Sequence, residues 1–185
     1  MTDFTPRLFI SDAEVARIGE GLLSCTLPRT NWTHEAHLAA TTYLLLRRPE
    51  VDLDRELPGV IRRYNESVGG VNSETEGYHE TITRVFLHGV RLFLSKADLQ
   101  EPLWKLVNAL LLSPMGLRDW PLRFYSRTRL LSVEARLKFI TPDIAELPAP
   151  VSSSSPSFDE YNRRYSGRGR PSERYRREPR HRRKP

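Results

Sequence analysis

From Val15 to Phe139 apolar residues recur at intervals of three and four, the spacing that lines one face of a helix. Ser11-Asp12-Ala13-Glu14 has the Ser-x-x-Glu form of a capping box and opens a first helix through Val15, Ile18 and Leu22. Thr33 can cap a second helix, with Trp32 set to pack back on its first turn, and Pro49 ends it after about Arg48. Leu53, Leu57, Val60, Ile61, Tyr64 and Val68 predict a third, with a kink or a fresh start at Pro58 and a stop at Gly69-Gly70. After a polar loop from Val71 to Gly77, Ile82, Val85, Phe86, Val90 and Phe93 mark a fourth helix ending near Lys96. Leu99 to Leu112 reads as a fifth, and short helices are expected around 119–131 and 132–139, the last capped by Ser132. No run of alternating β-branched residues is long enough to read as a strand. The pattern predicts an all-α, single-domain bundle of five to seven helices over residues 1–148.

The composition changes after Pro148. Four consecutive serines, Ser152 to Ser155, lead into a segment of Arg, Tyr, Gly and Pro with almost no aliphatic residues. Such a segment buries too little apolar surface to offset its chain entropy, so residues 149–185 are expected to be a disordered tail. Charge divides at the same place. Residues 151–185 hold eleven basic and four acidic side chains, whereas the preceding 150 hold eighteen and nineteen. Arg163, Arg164, Arg168, Arg170 and the later arginines alternate with Tyr161, Tyr165 and Tyr175, groups that neutralise phosphates and stack on bases. Weak contact with nucleic acid or another anionic surface is therefore one expectation for the tail, and a purely solubilising role is the other. The single cysteine, Cys25, excludes an internal disulfide framework and fits a reducing compartment. With no signal-peptide pattern at the start and no transmembrane-length apolar run, a cytoplasmic location is expected.

Candidate chemistry lies in three of the five histidines. His34 and His37 are neighbours on one helix face, and His37 continues into the apolar stripe of Leu38, Thr41, Leu44 and Leu45. Stepping back from Phe86 through Ile82 sets His79 on the inward stripe of the fourth helix, with Glu80 beside it and Thr83 one turn on. In one reading His34, His37 and His79 ligate a divalent metal (zinc, iron or manganese). Glu80 and His79 are then the catalytic candidates, and Tyr78, Thr83 and Asn65 contact the substrate or the ligands. The protein would be a small metal-dependent enzyme. In the other reading the histidines form a hydrogen-bonded network with Glu80, Thr41, Thr83 and Asn65 that fixes helix packing. The protein would then be a non-catalytic interaction module whose tail meets the partner. His34-Glu35-Ala36-His37 lacks the four-residue spacing of a zinc-protease helix. Ser126, Arg127 and Arg129 are better read as a solvated turn than as an anion site.

Trp32-Thr33-His34-x-x-His37-Leu38, Arg63-Tyr64-Asn65 and Gly77-Tyr78-His79-Glu80-Thr81 carry a resemblance. So do Tyr125-Ser126, the Ser132-to-Arg136 segment, Phe139 and Pro142-Asp143. On these motifs the chain resembles a family of small bacterial helical proteins of unknown function, over roughly residues 7 to 148. Val133 stands where that family commonly has proline. The resemblance implies where the site lies and brings no activity with it.

Overall fold

The computed structural model describes residues 5–149, and every described element is helical. The helices are α1 (Asp12–Leu23), α2 (His34–Arg47), α3 (Leu53–Ser67), α4 (Glu80–Leu94), α5 (Leu103–Leu111), α6 (Arg127–Leu130) and α7 (Val133–Leu137). Short 3₁₀ turns lie at Arg29–Asn31, Pro114–Gly116 and Trp120–Arg123. None of the described helices is long and apolar enough to cross a membrane. The expected tail, apart from Ala149, lies outside the described residues.

Side-chain caps define most helix starts, because the first N–H groups of a helix have no partner within it. Ser11, Thr33, Asp52, Ser126 and Ser132 each accept from a backbone N–H two or three residues on. The Ser11 cap is reciprocated by Glu14, which accepts from the Ile10 N–H at 3.1 Å and from Arg7 at 2.8 Å. Two expected boundaries move. The fifth helix starts at Leu103 and not at Leu99, because Pro102 occupies its N-cap and residues 99–101 form a turn. Pro58 brings no fresh start: α3 runs through it unbroken, with Leu53, Leu57, Val60, Ile61 and Tyr64 buried along one side. The apolar burial holds the helix together across the missing N–H.

α2 is the central helix. It buries residues on nearly every side, from Ala36 and Leu38 to Leu44, Leu45 and Leu46, and packs on α1, α4 and α5. A second part of the core gathers Val85 of α4 with Trp120, Phe124, Tyr125, Leu130, Ala135 and Ile140. Polar ties fasten this C-terminal part to α4. Thr81 Oγ1 donates to the Lys138 carbonyl at 2.9 Å and accepts from the Ile140 N–H at 3.2 Å, and Tyr125 donates to the Ile140 carbonyl at 2.8 Å. At the other end, Asn108 of α5 pairs with both backbone groups of Phe9 at 2.8 Å.

The α1–α2 contact depends on a glycine. A Cβ at Gly19 would sit 2.2 Å from Cδ1 of Tyr43, whose hydroxyl is bonded to Glu20 and cannot swing aside freely. Gly19→Ala is therefore expected to lower stability by about 1–3 kcal/mol, the usual range for overpacking. Urea denaturation checks this, and an unchanged midpoint would contradict it.

Candidate functional site

The N-terminal turns of α2 and α4 face one cavity of about 430 Å³. α2 and the residue before its cap supply Trp32, His34, His37, Leu38 and Thr41, and α3 supplies Ile61 and Asn65. The segment entering α4 supplies Gly77, Tyr78, His79, Ile82, Thr83 and Phe86. Six of the seven candidates from the sequence, His34, His37, His79, Tyr78, Thr83 and Asn65, thus meet at this cavity. Glu80 is the exception.

The hydrogen bonds fix the state of each polar group. His79 is not a member of the α4 stripe but its N-cap. Its Nδ1 accepts from the Ile82 N–H at 3.3 Å, so the proton must sit on Nε2, which donates to the Leu130 carbonyl at 3.1 Å. Both nitrogens of His79 are spent. His34 donates from Nε2 to the Gly116 carbonyl at 2.8 Å, which leaves Nδ1 as a lone-pair acceptor with no hydrogen bond among the described residues. His37 makes no hydrogen bond through its ring to any described residue, and it stacks on the Trp32 indole with centroids 3.8 Å apart. Trp32 precedes the Thr33 cap and His37 is the fourth residue of the helix, so this is a hydrophobic staple with an imidazole as its inner member.

Asn72 orders the carboxamides. The Tyr78 N–H donates to Asn72 Oδ1 at 3.1 Å, which identifies that atom as an oxygen. Asn65 must then present its NH₂ to the same atom, at 3.0 Å, and its own Oδ1 is left without a donor among the described residues. Asn72 also donates to the Arg62 carbonyl and to Glu66, both at 3.0 Å, holding the loop before α4 against α3. Gly77 on that loop has φ +77°, and a Cβ there would fall 2.1 Å from the Val71 carbonyl. Arg136 of α7 reaches the Gly77 and Tyr78 carbonyls at 3.3 and 3.2 Å and secures the loop from the other side.

Glu80 is turned away from the cavity. Its carboxylate accepts from the Tyr78 hydroxyl at 2.8 Å and from Arg84 Nε at 2.6 Å, an i,i+4 pair on α4. A metal set of His34, His37 and His79 with Glu80 would need a lone pair that His79 has already committed and a Glu80 carboxylate that here faces Tyr78 and Arg84. No group of three or more His, Cys, Asp or Glu among the described residues is placed to hold an ion. Ser126 and Arg129 are tied to Asp143 and Thr141, as a structural turn. The aromatic wall was not identified as site residues from the sequence. Phe86 meets the His34 ring edge-on at 5.2 Å, and Trp32 lies 5.1 Å from Tyr64. Thr41, one turn beyond His37, was legible from spacing alone.

The cavity keeps its imidazoles neutral. Burial is the main cause for His37, with the fields of His34 and Arg118 adding to it, and its pKa falls to about 3. Burial also lowers His34, against the hydrogen bond to Gly116, and lowers His79 together with the charge of Arg136. The Tyr78 hydroxyl is raised by burial and by its bond to Glu80.

These directions give a pH prediction. An unfolded chain protonates its histidines as pH falls through about 6.5, while the folded chain resists, so folding stability must fall with acid. For His37 the window runs from about 6.5 down to about 3. Between roughly pH 6.5 and 5 ordinary carboxylates remain largely ionised and the histidines dominate. Thermal unfolding midpoints should drop across that interval, and His37→Gln should flatten the drop. An equal slope in the variant would contradict the assignment. No protein-family model, curated protein or solved structure matches the chain, so the functional reading rests on the chemistry of this cavity.

Proposed function

We propose that the protein binds a small organic molecule in the cavity between α2, α3 and the start of α4. One observation carries this reading: a cavity of about 430 Å³ is lined by the His37 ring, His34 Nδ1 and Asn65 Oδ1, none of which bonds another described residue. Small-molecule pockets commonly span roughly 300–1,000 Å³ and combine apolar walls with a few convergent polar groups. Free lone pairs set among aromatic walls are the groups that orient a bound organic molecule.

Binding is a better reading than acid–base catalysis by Glu80 and His79. Glu80 is engaged outside the cavity, and His79 has no free nitrogen. His37 is free, but a pKa of about 3 makes it a poor base at neutral pH. Its neutral ring still offers one donor and one acceptor, which suits it to orienting a ligand. Binding also takes precedence over the metal reading, whose ligand set depends on those same committed atoms.

A fragment screen on the full chain, followed by ¹H–¹⁵N correlation spectra, tests the proposal. Hits should shift the Trp32 indole N–H and the backbone signals of residues 77–83. Thr41→Trp, which places an indole in the cavity, should weaken those hits by roughly tenfold or more through loss of the space they occupy. A screen without hits, or hits indifferent to Thr41→Trp in a folded protein, would overturn the reading.

A further inference from the structure

We infer that the ligand of this cavity is an uncharged, flat molecule that presents hydrogen-bond donors, of the class of a phenol or an N–H heteroaromatic. The inference rests on the small-molecule reading and narrows it.

The first ground is charge. Among the described residues, no Asp, Glu, Lys or Arg lines the cavity. The nearby charges are occupied elsewhere: Glu80 with Arg84, Glu35 with Arg118, and Arg136 with the carbonyls of Gly77 and Tyr78. A carboxylate or ammonium brought inside would exchange its water shell for groups with no compensating charge, which disfavours it against a neutral ligand of the same shape.

The second ground is the balance of donors and acceptors. His34 Nδ1 and Asn65 Oδ1 are left as acceptors by the bonds their partner atoms make to Gly116 and Asn72. Thr41 has spent its proton on the His37 carbonyl at 2.9 Å, so toward the cavity its hydroxyl can only accept. His79 offers nothing. His37 supplies one donor and one acceptor whichever tautomer it takes. Trp32 and Asn65 each add one N–H with no hydrogen bond to another described residue, and Thr83 is bonded to the Tyr78 hydroxyl, so the lining still has more acceptors to fill than donors to give. A ligand lacking donors would leave buried acceptors unpaired, which costs more than a weak bond gains.

The third ground is shape. The walls are built from rings: Trp32 on His37, and Phe86 against His34. Flat π-systems fill such walls with good contact and offset-stacked or edge-on geometry.

Three probes with one ring system separate these grounds: 2-naphthol, its methyl ether and 2-naphthoate. Affinities are measured on the full chain at pH 7.5, by titration followed at the Trp32 indole. Naphthol is expected to bind at least roughly tenfold more tightly than the ether, which lacks the donor, and than the anionic naphthoate. His37→Phe is expected to narrow the preference for naphthol over the ether while keeping ring binding. The comparison in the unmodified protein stands by itself should that variant not fold. An ether equal to naphthol, or a naphthoate at least as tight, would overturn the inference. If none of the three binds while the screen yields other hits, the inference fails and the pocket reading stands. If the screen is also empty, both fail.

Discussion

The structure turns on the imidazole of His79. As the cap of α4 it satisfies an orphan N–H at the helix start, and in doing so it fixes its own tautomer. The proton is thereby directed to Nε2 and on to the carbonyl of Leu130, the last residue of α6. One side chain thus starts α4 and anchors the C-terminal part of the core against it. It also forms part of the cavity wall. A serine or aspartate would cap the helix as well, but neither could extend a donor from its far side to a second backbone segment. The same atoms that make His79 structurally central remove it from metal or proton chemistry.

Charge is arranged around the cavity and kept out of it. On one side the Glu80–Arg84 pair continues to Asp54, which lies 3.6 Å from Arg84 and takes a bidentate contact from Arg91. Arg62 lies over the Tyr78 ring at 4.5 Å. Near α2, burial pushes the Glu35 carboxyl up, but hydrogen bonds from Thr33 and the backbone, with Arg118 beyond, hold it below its ordinary value. These ion pairs lie next to a lining that, among the described residues, has no Asp, Glu, Lys or Arg. Neutral polar groups can serve ligand recognition there because the adjacent ion pairs are already satisfied.

The fold was legible because its signals are local. Ser11, Thr33 and Ser132 could be read as caps, and the three-and-four spacing of α3 and α4 survives in the burial of Leu57, Ile61, Val85 and Val90. Legibility failed where a long-range contact decides the outcome. Glu80, by contrast, is a local miss: Arg84 stands four residues on, at the spacing of a helical ion pair, and Tyr78 two before, so both partners lay within reach of a spacing argument. Periodicity extended the α4 stripe one residue too far, to His79, because a cap lies just where such a stripe runs out. The partners of His34 and His79 are 82 and 51 residues away, beyond any spacing argument. The motif therefore located the site and left its chemistry open.

His34 and His37 differ in a way their spacing does not reveal. Both lie in the first turns of α2, where a histidine ring can reach out to neighbouring segments. Gly116 approaches so closely that a Cβ there would lie 2.4 Å from the Leu110 carbonyl, and this tight turn brings its own carbonyl to His34. Among the described residues no backbone carbonyl reaches the His37 ring, and the Trp32 indole stacks on it. A half-buried imidazole without a protein partner is held in its neutral form, because burial penalises the charged ring. Such departures from local satisfaction concentrate where a fold does something beyond folding. His34 Nδ1 and the His37 ring are two such departures on the face of α2 that lines the cavity, and the buried Tyr64 hydroxyl, with no partner among the described residues, is another on α3. The free lone pair of His34 and the ring of His37 thus face one volume, and that juxtaposition is what the ligand-binding proposal builds on.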